Sequence, residues 1–232
     1  MSAHHVGTTG TPALLQVRDL RRAFGGVRAV DGVSFELQAG EMLALIGPNG
    51  AGKSTTFNLL NGQLVPDGGA VWLQGEAITG LSPSALALRG VGRTFQTAQT
   101  FASFSVRENV QIARLAAQGR SMSLRGHATQ HEPDAAQQLL TQVGLAAQAE
   151  RPCTALAYAD LKRLELAMAL AAQPRLLLMD EPTAGMAVAE RQALMALVRT
   201  LVRERGIGVL LTEHSMDVVF GHADRVLVMA RG

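Results

Sequence analysis

The chain has 232 residues, of which 47% are hydrophobic and 17% charged, with a formal net charge of +2. That length holds one large domain or two small ones with a sizeable core, and the near-even charge carries no sign of a nucleic-acid partner. A single cysteine, Cys153, excludes an internal disulfide and fits a reducing compartment, and no apolar run approaches the roughly 18 residues of a membrane span.

Residues 1–12, "MSAHHVGTTGTP", read as a polar, floppy leader without the charged and apolar regions of a signal peptide. From Ala13 to Leu37 the pattern alternates, which predicts strands of a small antiparallel sheet. "EMLALIG" is a buried strand that runs into "GPNGAGKST", and "TTFNLLNG" continues as a helix stopped by Gly62. "GGAVWLQG" and "VGRTFQ" return to strand. "SVRENVQIARLAA" places Ser105 at an N-cap with Glu108 three residues on, a capping box. Ala-rich helical patterns follow to about residue 173, broken by a polar linker that contains His127 and His131; these are read as solvated rather than as metal ligands. In "LAYADLKRLE", Asp160 is the expected N-cap of a helix with Leu161, Leu164, Met168 and Ala171 as its apolar stripe. "RLLLMDEP", "IGVLLTEH" and "DRVLVMARG" are short apolar strands. Apolar strands separated by helices predict an α/β fold: a parallel sheet covered on both faces, an N-terminal antiparallel subdomain, and a helical subdomain inserted at about residues 98–168 of a single domain, 13–232.

The chemistry starts at Gly47. "GPNGAGKS" (Gly47, Pro48, Asn49, Gly50, Ala51, Gly52, Lys53, Ser54) follows a strand and opens a helix, the context in which G-x4-G-K-[ST] cradles phosphate. The glycines let backbone N–H groups turn inward, and the helix dipole adds to the attraction. Lys53 reaches the β- and γ-phosphates, and the Ser54 hydroxyl, followed by Thr55, is placed to bind Mg²⁺. Asp180, at the end of "LLLMD", is placed to hold Mg²⁺, and Glu181 to polarise an attacking water. Parallel sheets bind ligands beyond the carboxyl ends of their strands, where Gly47, Asp180 and His214 are all expected.

These residues, with Gln96 in "TFQ", His214 in "TEH" and Phe24 in "RAFGG", resemble the nucleotide-binding subunits of ABC transporters over nearly the whole chain. A lone Gln, His or Phe would more often be structural; their order and spacing carry the likeness. The resemblance implies a P-loop NTPase with a RecA-like parallel core, and an ATPase that dimerises head-to-tail. It makes Phe24 the adenine-stacking aromatic, Gln96 a sensor of the γ-phosphate and its metal, and His214 a switch histidine. Each ATP lies between one chain's P-loop and the partner's signature motif. "FGGVRAVDGVSFEL", "IGPNGAGKST", "GVGRTFQ" and "LAYADLKRLELA" are most similar to the larger ATP-binding subunit of branched-chain amino acid importers, a pattern shared with urea, amide and aromatic-acid importers. Such a subunit pairs with a second ATPase subunit beneath two permeases fed by a periplasmic binding protein. It sits on the cytoplasmic face of the inner membrane, and its Q-loop and helical subdomain, with Phe101 and Phe104 as apolar contacts, receive the permease. Family members usually continue beyond "MARG", so a truncated C-terminus is expected. A soluble ABC-type ATPase without a permease and an ATP-gated clamp are the alternatives. The clamp has no need of Glu181 or His214.

Two departures from the family pattern stand out. Leu156, Ala157, Tyr158, Ala159 and Asp160 occupy the signature, so Ala157 lacks a hydroxyl and Asp160 puts a carboxylate near a polyanion. Two charges 4 Å apart there repel by about 1–4 kcal/mol, partly offset by Lys162 and Arg163. Ala187, after "DEPTAG", lacks the polar group expected of the D-loop. Both changes lie on the face offered to the partner's ATP, which predicts an asymmetric heterodimer.

Overall fold

The computed structural model describes residues 12–94, 99–119 and 133–232. The expectations for the leader through residue 11, for Gln96 and for His127 and His131 lie outside the described residues.

Strands β1 (Leu15–Phe24) and β2 (Val27–Leu37) form an antiparallel hairpin closed by Gly25 and Gly26, both at positive φ. β4 (Gly68–Leu73) and β5 (Glu76–Ala77) complete an antiparallel sheet of order β2-β1-β4-β5. The second sheet contains β3 (Met42–Ile46), β6 (Val91–Thr94), β7 (Leu176–Asp180), β8 (Gly208–Thr212) and β9 (Arg225–Val228), in the order β6-β7-β8-β3-β9 and parallel throughout. Helices α1 (Lys53–Leu60), α2 (Pro83–Leu88), α3 (Val106–Ala117), α4 (Pro133–Gln142), α5 (Tyr158–Ala171), α6 (Val188–Arg205) and α7 (Met216–His222) connect and cover the strands. α3, α4 and α5 all fall between β6 and β7 in the chain.

Alternation along the central strands divides the interior in two. Met42, Ala44, Leu177, Met179, Val209 and Leu211 point into a core shared with α3 to α7. Leu43, Leu45, Leu176, Leu178 and Leu210 point the other way, onto α1 and the antiparallel sheet. Period-two side-chain direction thus makes each apolar strand serve both layers. The expected capping box on α3 is present, with Ser105 accepting from the Glu108 N–H at 3.2 Å and Glu108 accepting from the Ser105 N–H at 2.7 Å.

α5 differs from its sequence reading. Its N-cap is Ala157, without a side-chain cap, and Asp160 lies inside the first turn. An acid there complements the helix dipole without capping. The helix is also buried well beyond one stripe. Lys162 and Glu165 are buried as an ion pair at 3.4 Å, so Lys162 is not directed at Asp160.

Candidate nucleotide site

Three neighbouring strands, β7, β8 and β3, end at one edge of the parallel sheet, and the loops that leave them carry the residues singled out by chemistry. From β3 the chain turns at once into Gly47–Gly52 and then α1. A Cβ on Gly47 would lie 2.3 Å from the Met229 carbonyl oxygen, and one on Gly52 would lie 2.2 Å from that of Ala29. Gly52 also has φ 100 and Gly50 φ 80. A side chain at position 52 is therefore excluded twice, by contact and by conformation. Pro48, Asn49 and Gly50 form the exposed tip, while Ala51 is buried.

Gly52 is the N-cap of α1 and offers no side chain to the first-turn amides; the turn contains no acid either. The N–H groups at a helix start need acceptors, and an anion supplies them. Lys53 curls back across the loop, its Nζ donating to the carbonyls of Gly47 at 2.7 Å and Pro48 at 3.1 Å. Ser54 is exposed and Thr55 half-buried beside it.

Asp180 ends β7. Its Oδ1 accepts from the Thr212 hydroxyl at 2.8 Å, and Arg93 approaches Oδ2 at 3.6 Å. Burial lowers the Arg93 pKa from its ordinary value, against the opposing charges of Asp180 and Glu165. The next residue, Glu181, has φ 46; its N–H donates to the Thr212 carbonyl at 3.2 Å and hydroxyl at 3.1 Å. Its Oε1 meets His214 Nε2 at 3.0 Å. Two residues separated by 33 positions thus form one acid–imidazole pair beside the phosphate loop. Phe24 is 45% exposed at the hairpin tip, with the Arg22 guanidinium 5.0 Å from its ring centroid.

The stretch Leu156–Asp160 forms the start of α5. Leu156 is buried, Ala157 and Tyr158 are exposed, and Ala159 packs partly into the core. Ala159 is an ordinary helical residue, so alanine there carries no backbone strain and favours the helix. Asp160 Oδ2 accepts from Gln148 Nε2 at 2.9 Å, and Arg163 lies 3.9 Å from Oδ1. The carboxylate is therefore anchored within this chain, which weakens the repulsion expected from sequence. Tyr158 donates its hydroxyl to the Ala184 carbonyl at 3.1 Å, linking this helix to the loop after Glu181. Thr212 and Arg93 hold Asp180, and Glu213 accepts from the His214 N–H at 3.1 Å, although sequence reading did not select these three. Their roles depend on cross-strand pairing, and the acidic residue beside His214 was the available hint.

A phosphate loop opening a helix, an acidic strand end and a carboxylate–imidazole pair define a P-loop nucleoside triphosphatase. Residues 30–184 match the ABC transporter family. The chain is 38% identical over 227 residues to the high-affinity branched-chain amino acid transport ATP-binding protein LivG of Escherichia coli K12, covering 94% of this chain and 89% of that protein. BraF of Pseudomonas aeruginosa, described in the same words, is 37% identical over the same shares. Among solved structures, an ATP-binding cassette of an ABC transporter in its ADP conformation superposes with a TM-score of 0.87 at 32% identity, covering 96% of this chain and 89% of that one. The chain belongs to the ABC transporter ATP-binding family and is an ABC ATPase. Among the described residues, no helix is long and apolar enough to cross a membrane.

Proposed function

We propose that this chain powers a membrane importer for branched-chain amino acids or related small polar or amide solutes, by hydrolysing ATP at the site built on its own P-loop. The observation that carries this reading is the Glu181–His214 pair, at 3.0 Å on the same sheet edge as the P-loop. The 38% identity to LivG supports the solute class.

In this mechanism the first-turn amides of α1 and Lys53 bind the phosphates, and Phe24 offers its exposed ring to the adenine. The residues present fit Mg²⁺, with the Ser54 hydroxyl and the Asp180 carboxylate as an oxygen donor set of the kind that ion takes alongside nucleotide phosphates. When bound, Mg²⁺ neutralises charge that develops on the phosphoryl oxygens. Gln96, by the family resemblance, would supply a further oxygen or nitrogen to the metal and the γ-phosphate. Glu181 takes a proton from the attacking water, and His214 holds the Glu181 carboxylate in place and contacts the γ-phosphate.

The partner is a second ATP-binding subunit. Two permeases bind the Q-loop and helical subdomain, a periplasmic binding protein acts through them, and the complex holds this chain at the cytoplasmic face of the inner membrane. Ala157 and Ala187 face the partner's nucleotide without a side-chain hydrogen-bonding group, so the site completed by this chain is the weaker one. With Asp160 tied to Gln148 and Arg163, that weakness is assigned to the missing Ala157 hydroxyl and the apolar Ala187 rather than to charge repulsion.

Glu181→Gln tests the reading in the assembled complex. It removes the base but not the phosphate loop, so ATP binding should persist while turnover falls by about 10²–10⁴-fold. Near-full turnover would show that the partner's site carries hydrolysis. An ATP-gated clamp would show little turnover before the substitution is made.

A further inference from the structure

Glu213 is a carboxylate only 4% exposed, one residue before His214. Its two oxygens are divided between two loops. Oε1 accepts from the Thr183 N–H at 3.0 Å and the Thr183 hydroxyl at 2.5 Å. Oε2 accepts from the N–H groups of His214 at 3.1 Å and Ser215 at 3.4 Å. Arg191 of α6 in turn donates to the Ser215 hydroxyl.

The pairing of β7 with β8 ends at Asp180 and Thr212, just before Glu181 and His214 must meet. Beyond that point, the loop carrying Glu181 and the loop carrying His214 are joined by the Glu181 N–H on Thr212 and by the Glu213 carboxylate. All four groups on Glu213 are donors. A carboxylate, which only accepts, satisfies them all; an isosteric amide would turn an NH2 group against two donors.

We propose that Glu213 is a positioning residue, a buried clamp that fixes the distance between Glu181 and His214 and thereby sets the rate of ATP hydrolysis. It does not touch the nucleotide. The inference rests on Glu181 and His214 being the hydrolytic pair.

The test is a double-mutant cycle in the transporter complex co-purified with a tagged copy of this chain, reading kcat, KM for ATP and unfolding midpoint. Glu213→Gln should lower kcat by up to about 100-fold, the loss that misplacing a catalytic group by about an ångström can bring, with KM changed less than about twofold. In a His214→Ala background the same substitution should cost no further turnover, because the pair it positions is already broken. A loss of midpoint alone, or an equal loss of kcat in both backgrounds, would make Glu213 a structural residue and overturn the proposal. If His214→Ala itself left kcat unchanged, the hydrolytic-pair reading would fall and the clamp with it, a result distinct from failure of the clamp alone. Should Glu213→Gln fail to fold, Thr183→Val removes a single donor to Oε1 and should show the same dependence on His214. Thr183→Ser, which keeps the hydroxyl, should retain activity.

Discussion

Glu181 holds a left-handed backbone, φ 46, which a residue with a side chain adopts at a cost of about 1–3 kcal/mol. The two bonds from its N–H to Thr212 hold it there. The conformation ends the strand abruptly and aims the carboxylate at His214 rather than along the sheet. Sequence shows that an acid follows Asp180; it does not show this turn, because the constraint comes from Thr212, which is distant in the chain. Asp224 is a second residue whose meaning is tertiary. It accepts from the Met42 N–H at 2.8 Å, and the Arg199 guanidinium donates to both of its oxygens. The Arg199 hydrogen bonds hold its carboxyl below the ordinary value of 3.8, burial opposing. A carboxylate whose folded pKa is depressed stabilises the fold fully above its unfolded pKa, and that stability is lost as the pH falls through the folded value. Asp224→Asn should therefore lower the urea midpoint at pH 7, and the gap from the parent should close as the pH drops below 3.8. A gap that stayed constant with pH would assign the loss to packing.

At the scale of elements, the helices differ in how their first turns are capped. Ser82 and Ser105 cap α2 and α3 with side-chain oxygens. α5 and α6 start at Ala157 and Ala187, which have none, although Glu190 reaches back to the Ala187 N–H at 3.1 Å. Substituting alanine for a good N-cap costs about 0.5–2 kcal/mol. Ala187→Asp and Ala157→Ser should thus each raise the stability of the purified chain by about 1 kcal/mol in denaturant titrations. An unchanged midpoint would mean that these first-turn amides are satisfied in another way. The alanines were legible in the sequence as departures, but their place at the N-caps was not. Asp160 carries the stronger capping propensity and drew the helix start three residues too late. Burial of Leu156 immediately before Ala157 anchors the start of the helix instead.

Across the whole molecule, the strands and the phosphate loop were legible because both are local. Apolar runs of five residues and a glycine-rich turn before a helix need no partner elsewhere. Which strands lie side by side was not local, and the site depends on it. β7 and β8 pair in register at Asp180 and Thr212, and β8 pairs with β3 from Met42 to Leu45, so three loops distant in sequence open at one edge. Glu213 and Thr212 hold that edge together. The same edge brings together the phosphate loop, the Asp180 carboxylate and the Glu181–His214 pair, all supplied by one chain, to which the proposed function assigns phosphate, metal and water. In the proposed dimer the start of α5 and the loop before α6 face the other chain's nucleotide, and residues 157 and 187 there are alanines. The proposed dimer is therefore asymmetric, with this chain hydrolysing its own ATP with help from a different subunit. The direct measurement is Mg-ATPase activity of the purified chain, alone and then mixed with its partner ATP-binding subunit. Alone, the chain should bind ATP without appreciable turnover, and on mixing it should show turnover that Glu181→Gln abolishes. Full turnover by the chain alone would show that two copies complete each other's sites through Ala157 and Ala187, and would overturn the asymmetric dimer.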